Sequence, residues 1–178
     1  MSVGQLIVIT GPSGVGKGTI VRSLLQSHPN LYLSISATTR QPRGGEIEGV
    51  DYYFLSRTEF ESAIAREEFI EWAEYAGNYY GTPKIKVEEQ IALGNSILLE
   101  IEVVGARKIV AIFPDALRIF ILPPSIEALE QRIRARGKNS EESIARRIAI
   151  AQAEINASDE FDYTIVNDDL KQAIAEVE

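Results

Sequence analysis

The chain has 178 residues, 45% of them hydrophobic and 25% charged, with a formal net charge of −8. That length sets one domain with a sizeable core as the default, and the acidic balance argues against general nucleic-acid binding, which needs a basic footprint. The lack of cysteine excludes disulfides and thiol chemistry, a single histidine excludes a histidine metal cluster, and no apolar run approaches the length of a membrane span.

Residues 6–9, Leu-Ile-Val-Ile, are an apolar run rich in β-branched side chains and predict a buried parallel strand. The run leads into Gly11-Pro12-Ser13-Gly14-Val15-Gly16-Lys17-Gly18-Thr19, and residues 19–28 read as a helix. Strand, glycine-rich loop with lysine, then helix is the context that a phosphate-binding loop requires. Glycines let several backbone N–H groups converge on one anion, and the helix N-terminus adds its positive dipole end. Lys17 supplies a mobile charge for the outer phosphates. A plain glycine turn is the competing reading, and the flanking elements argue against it. One position departs from the pattern: Gly18 stands where a hydroxyl usually touches Mg2+, and Thr19 follows one place later. His28, before Pro29, is expected to cap the helix carbonyls.

Residues 34–39 are polar and β-prone, and 41–49 hold Pro42, Gly44, Gly45 and Gly49, which predict a loop. Residues 52–55 form a short aromatic strand. Ser56 and Glu59 stand in capping-box spacing and open a helix over 57–67. Short strands at 71–75 and 79–80 flank Gly77-Asn78, a hairpin signal. Regular alternation resumes after Pro83: a helix over 84–93, a strand over 97–101, a helix over 104–113 and a strand over 117–122. Ser125 caps a helix to about residue 136, Ser140 opens another to about 157, and a strand at 163–166 precedes a helix over 168–178. Strands alternating with helices imply a parallel sheet in three layers. Two groups of cations interrupt the acidic composition: Arg40 with Arg43, and Arg132, Arg134, Arg136, Lys138, Arg146 and Arg147. A solvated helix face explains such a run in general. In a chain already committed to phosphate, a polyanion-facing cluster competes with that explanation.

The stretch 36–82 carries longer motifs. Ser36-Ala37-Thr38-Thr39-Arg40-Gln41-Pro42-Arg43 precedes Gly49-Val50-Asp51-Tyr52-Tyr53-Phe54, and Phe69-Ile70-Glu71-Trp72-Ala73 precedes Gly77-Asn78-Tyr79-Tyr80-Gly81-Thr82. With Gly11-Pro12-Ser13-Gly14, these closely resemble guanylate kinase, from about residue 5 to about 170. The resemblance implies an α/β, three-layer P-loop kinase fold. Its parallel five-stranded core sheet would span 1–35, 83–130 and 149–178, with a GMP-binding insertion at 36–82 and a helical lid at 131–148. It implies reversible phosphoryl transfer from ATP to GMP, with dGMP as a second acceptor, in purine nucleotide metabolism. It also implies Mg2+ as cofactor, a cytoplasmic location, no nucleic-acid or membrane partner, and a monomer or homodimer.

By the same resemblance, residues 11–19 with Arg132 and Asn167 hold ATP, and Lys17, Arg136 and Arg147 act on the transferred phosphate with help from Arg146. Arg40, Arg43, Tyr52 and Tyr80 match the GMP phosphate clamp: arginine forks fit phosphate oxygens, and phenols donate without adding charge. From the residues alone, Tyr52 and Tyr80 read as packing groups. Glu71 matches the guanine reader, since a carboxylate accepts from both the ring N1–H and the amino N–H. Ser36 and Thr82 match hydroxyls facing the base. Glu100 and Glu102 stand where the family has aspartates on the GMP side. Glu100 either holds metal-bound water, with Mg2+ otherwise carried by substrate phosphates, or orients a GMP-side group such as Arg40. Asn167 and Asp168 read equally as adenine contacts or as a helix cap. The alternative function is a non-catalytic guanylate-kinase-like interaction module. Such modules generally have a degraded phosphate loop, whereas Gly16 and Lys17 are intact here.

Overall fold

The computed structural model describes residues 4–135 and 140–178. In chain order its elements are β1 (Leu6–Thr10), α1 (Lys17–Ser27), β2 (Leu31–Ser34), β3 (Ala37–Thr38), β4 (Tyr53–Phe54), α2 (Arg57–Ala65), β5 (Phe69–Tyr75) and β6 (Asn78–Pro83). They continue as α3 (Lys84–Ala92), β7 (Ser96–Glu100), α4 (Val103–Ile112), β8 (Leu117–Leu122), α5 (Ile126–Ala135), α6 (Glu141–Ile155), β9 (Tyr163–Val166) and α7 (Leu170–Val177). The core sheet has five strands in the order β2-β7-β1-β8-β9, and the pairs β2–β7, β1–β8 and β8–β9 are parallel. A second sheet has the order β4-β3-β6-β5, with β6 antiparallel to both β3 and β5. Among the described residues, no helix is long and apolar enough to cross a membrane.

Packing divides the described chain into two units. One holds Asn30–Leu99, Val104–Ala116 and the residues just before Ile7; the other holds Ile7–Pro29, Glu100–Val103 and Leu117–Glu178. In the first unit, Ile97, Leu98 and Leu99 are consecutive and almost wholly buried, as expected of a parallel strand covered on both faces. The second sheet has its own apolar centre. Phe60 of α2 is fully buried and stacks on Phe69 of β5, with ring centroids 4.4 Å apart. Ser56 and Glu59 complete the expected capping box, each side chain bonded to the other's backbone.

In the second unit, Val8, Ile9, Ile20, Phe120, Ile121, Leu129 and Ile133 are completely buried. Val103, Phe120 and Ala157 form a further cluster with Leu122, Ile155 and Phe161. Ser125 and Ser140 cap α5 and α6 as the sequence predicts, accepting from Ala128 N–H at 3.1 Å and Ser143 N–H at 3.2 Å.

Three local expectations shift, and a fourth, the cap by His28, holds through its backbone. The strand Leu31–Ser34 pairs with β7 although residues 31–33 were not expected to be extended: the run is short, and its β7 partner lies far along the chain. The hairpin turn falls on Ala76 and Gly77, not Gly77-Asn78, because Asn78 already pairs with Tyr75. Both turn residues have positive φ, 50° and 81°, as a two-residue turn requires. The last helix starts at Leu170, capped by Asp169, whose side chain accepts from Gln172 N–H at 2.9 Å. His28 is the C-cap of α1 through its backbone N–H to Leu24 O, while its ring lies 3.5 Å from Glu178.

Candidate active site

The phosphate loop joins β1 to α1 in the second unit. Gly16 is the N-cap of α1 in the left-handed region, with φ 106°, and offers no capping side chain. A side chain there would strike the Asn167 amide, and one on Gly11 would strike the Ile121 carbonyl, so glycine is required at both. The first turn of α1 holds no acidic residue. Its N–H end therefore suits an anion from outside the helix. The Lys17 ammonium donates to the carbonyls of Gly11 and Pro12, the latter at 3.3 Å.

Side chains from distant elements brace this loop. Asn167, 5% exposed, donates from Nδ2 to Val15 O at 2.8 Å. Arg132 on α5 donates to Val15 O at 3.3 Å and to Asn167 O at 2.8 Å. Arg147 on α6 donates to Ser13 Oγ at 2.9 Å. A side chain on Gly18 would begin 3.9 Å from Glu100 Oε1, so this carboxylate stands beside the start of α1. Asp168 is exposed, and the cap reading belongs to its neighbour Asp169. Arg136 lies outside the described residues.

Of the remaining predicted residues, Glu102 and Arg146 stand in the second unit, where Arg146 donates to Glu142 at 3.2 Å, and the others stand in the first. Arg40 points both Nη atoms at Glu46, at 3.0 and 2.9 Å, and its guanidinium carbon lies 5.3 Å from the centre of the Tyr52 ring. Tyr52 meets Tyr80 edge-on at 6.1 Å. Burial weakens the charge of Arg40, but the hydrogen bond and charge of Glu46 outweigh it and hold the guanidinium above its usual range. Burial likewise opposes ionisation of Glu46. Arg40 and the Arg43 N–H, which donates to Glu46 at 2.6 Å, nevertheless keep the carboxyl below the usual carboxylate range.

Glu71 is 6% exposed and Thr82 wholly buried, and they face each other across β5 and β6. Thr82 Oγ1 donates to Glu71 Oε1 at 2.6 Å. A buried carboxylate held this way is a directed acceptor. Ser36 contributes its carbonyl to Tyr53 N–H at 2.9 Å, which fixes the strand beside which it stands.

The guanylate kinase family pattern matches residues 3–178. A curated guanylate kinase of Synechocystis sp. is 64% identical over 96% of this chain and 90% of its own length. One from Trichormus variabilis is 62% identical over 99% of this chain and 89% of its own. The crystal structure of guanylate kinase from Anaplasma phagocytophilum superposes with a TM-score of 0.84 at 37% identity, covering 99% of this chain and 83% of that one.

The chain belongs to the guanylate kinase family.

A shikimate kinase from Bacteroides thetaiotaomicron, 13% identical with a TM-score of 0.54, shares the fold alone. Within this guanylate kinase frame, the structure brings Arg40, Tyr52 and Tyr80 into one cluster, and Lys17, Arg132, Arg147 and Asn167 around one loop. Two residues were missed from sequence. Glu46 carries a faint signal, a carboxylate three residues after Arg43 in a glycine-rich loop. Glu154 carries none, because an acidic residue on a helix reads as solvated; here its Oε2 is buried without a hydrogen-bond partner among the described residues.

Proposed function

We propose that this guanylate kinase family member transfers the terminal phosphoryl group of ATP to GMP, reversibly, and accepts dGMP as a second substrate. The observation that carries the reading is the buried Glu71–Thr82 pair. Guanine offers the adjacent N–H donors that such a carboxylate needs, and adenine does not. The Arg40, Tyr52 and Tyr80 cluster, with Arg43, takes the GMP phosphate, and Ser36, Thr82 and Glu102 stand toward the base. The loop 11–19 takes the ATP phosphates, with Lys17, Arg136 and Arg147 neutralising charge on the group in transfer. In this reading residues 36–82 are the GMP-binding insertion, residues 131–148 the lid and the remainder the core.

The acceptor is already an anionic phosphate, so no general base is needed. The residues contribute by alignment, charge and exclusion of water. Among the described residues no group of three or more metal-ligating side chains forms a cage. That donor set, with Glu100 beside the loop, fits Mg2+ held mainly by substrate phosphates and water. When bound, the ion offsets phosphate charge.

A coupled assay with ATP and either GMP or AMP tests the reading. GMP should be preferred by roughly 10⁴-fold, the scale on which an unmatched buried polar site rejects an analogue. Glu71→Gln should erode that ratio mainly through GMP. Equal turnover of AMP and GMP, or an unchanged ratio in the folded variant, would remove Glu71 as the reader. No phosphorylation of either would favour the interaction module.

A further inference from the structure

One carboxylate on α6 has no task in phosphoryl transfer as described. Ile144, Arg147, Ala151 and Glu154 follow one another at helical spacing on one face. Ile144 and Ala151 are buried, and Arg147 reaches the phosphate loop at Ser13. Glu154 continues this inward stripe, and the next residue, Ile155, packs on the Val103, Phe120 and Ala157 cluster. Its Oε2 is buried and has no hydrogen-bond partner among the described residues. An orphaned buried acceptor is rare and calls for a reason. The charged groups that face it are Lys17, at the start of α1, and Glu102, after β7. Burial pushes the Glu154 carboxyl up to about 7; Lys17 pulls it down, and Glu102 adds to the rise.

We propose that Glu154 takes up a proton from solvent when a nucleotide polyphosphate occupies the phosphate loop, so that nucleotide binding is proton-linked. This rests on the phosphate-loop reading above. The argument is electrostatic. Lys17 favours the ionised form of Glu154. A polyphosphate engages that ammonium and brings several negative charges close by, so the ionised form loses support and gains repulsion. Protonation removes the repulsion and turns the orphaned oxygen side into a donor. A ligand that favours the protonated form binds more weakly as pH rises from the free protein's pKa to that of the complex.

Titration calorimetry of the whole protein with MgADP, from pH 6.5 to 8.5 in two buffers of different ionisation heat, tests this. The wild type should take up a proton on binding and lose affinity as pH rises, by at most about tenfold per pH unit for one linked proton. Glu154→Gln keeps the shape of the side chain but cannot titrate, so the extra uptake and slope should vanish. Ionisation of the nucleotide is common to both proteins and cancels. A wild type without proton uptake in this range overturns the proposal whatever the variant does, and so does equal uptake in a folded Glu154→Gln. A wild type that binds no MgADP at any pH overturns the phosphate-loop reading instead.

Discussion

A side chain at Gly18 would begin 3.7 Å from Arg22 Nη1 and 3.9 Å from Glu100 Oε1, which is ordinary contact. The backbone there does not have positive φ, so another residue fits without strain. Gly18→Ser should therefore fold and remain active, and the Mg2+ concentration for half-maximal activity should fall or stay unchanged. Glu100→Gln should raise it, if that carboxylate holds metal-bound water. A Mg2+ titration at fixed ATP and GMP checks both, and loss of activity in folded Gly18→Ser would show that the loop needs glycine itself. Gly18 was legible as a departure in the sequence because the loop that contains it sets the residue expected there. The family resemblance names Arg40 and Tyr52 together as a phosphate clamp, and the structure brings the two side chains together. That Glu46 holds Arg40, with both side chains under a fifth exposed, appears only when the loop is folded.

At the scale of elements, the β5–β6 hairpin carries the Glu71–Thr82 pair, and its register decides that these two face each other. A one-residue slip would turn Glu71 to the opposite face of the sheet. The turn that sets this register places Ala76 in the left-handed region, with φ 50°. An L-residue pays roughly 1–2 kcal/mol for that conformation, and asparagine tolerates it better than alanine does. Ala76→Asn should stabilise the protein by about 0.5–1 kcal/mol. The KM for GMP should not change. Urea denaturation beside steady-state kinetics would test this, and a lower denaturation midpoint would contradict the turn geometry. The presence of a hairpin was evident from the glycine between aromatic runs. Its turn position was not, because Gly-Asn and Ala-Gly compete locally, and strand pairing selects Ala76-Gly77.

At the scale of the whole molecule, a protein of net charge −8 must accommodate two anionic nucleotides. Its cations are grouped accordingly, with Arg40 and Arg43 in one unit and Lys17, Arg132 and Arg147 in the other. If both groups serve one reaction, an adenosine–guanosine analogue linked by a polyphosphate should bind at least 10²-fold more tightly than GMP or ATP alone, the lower range expected of joined ligands. Calorimetry with all three ligands checks this, and an affinity no better than the stronger single nucleotide would contradict a shared reaction site. The sequence by itself determined the glycine-rich loop between strand and helix, the capping box, the β/α alternation and the family, because each depends on neighbouring residues or on long ordered motifs. Tertiary structure alone decided that Leu31–Ser34 joins the core sheet, that Asn167 and Arg132 brace Val15, and that the Glu154 Oε2 is buried within the field of Lys17. The physical reason is separation along the chain: Asn167 and Arg132 stand 152 and 117 residues from the loop carbonyl they hold. Local spacing carries no information about such contacts, which exist only once the hydrophobic core has brought the strands and helices together.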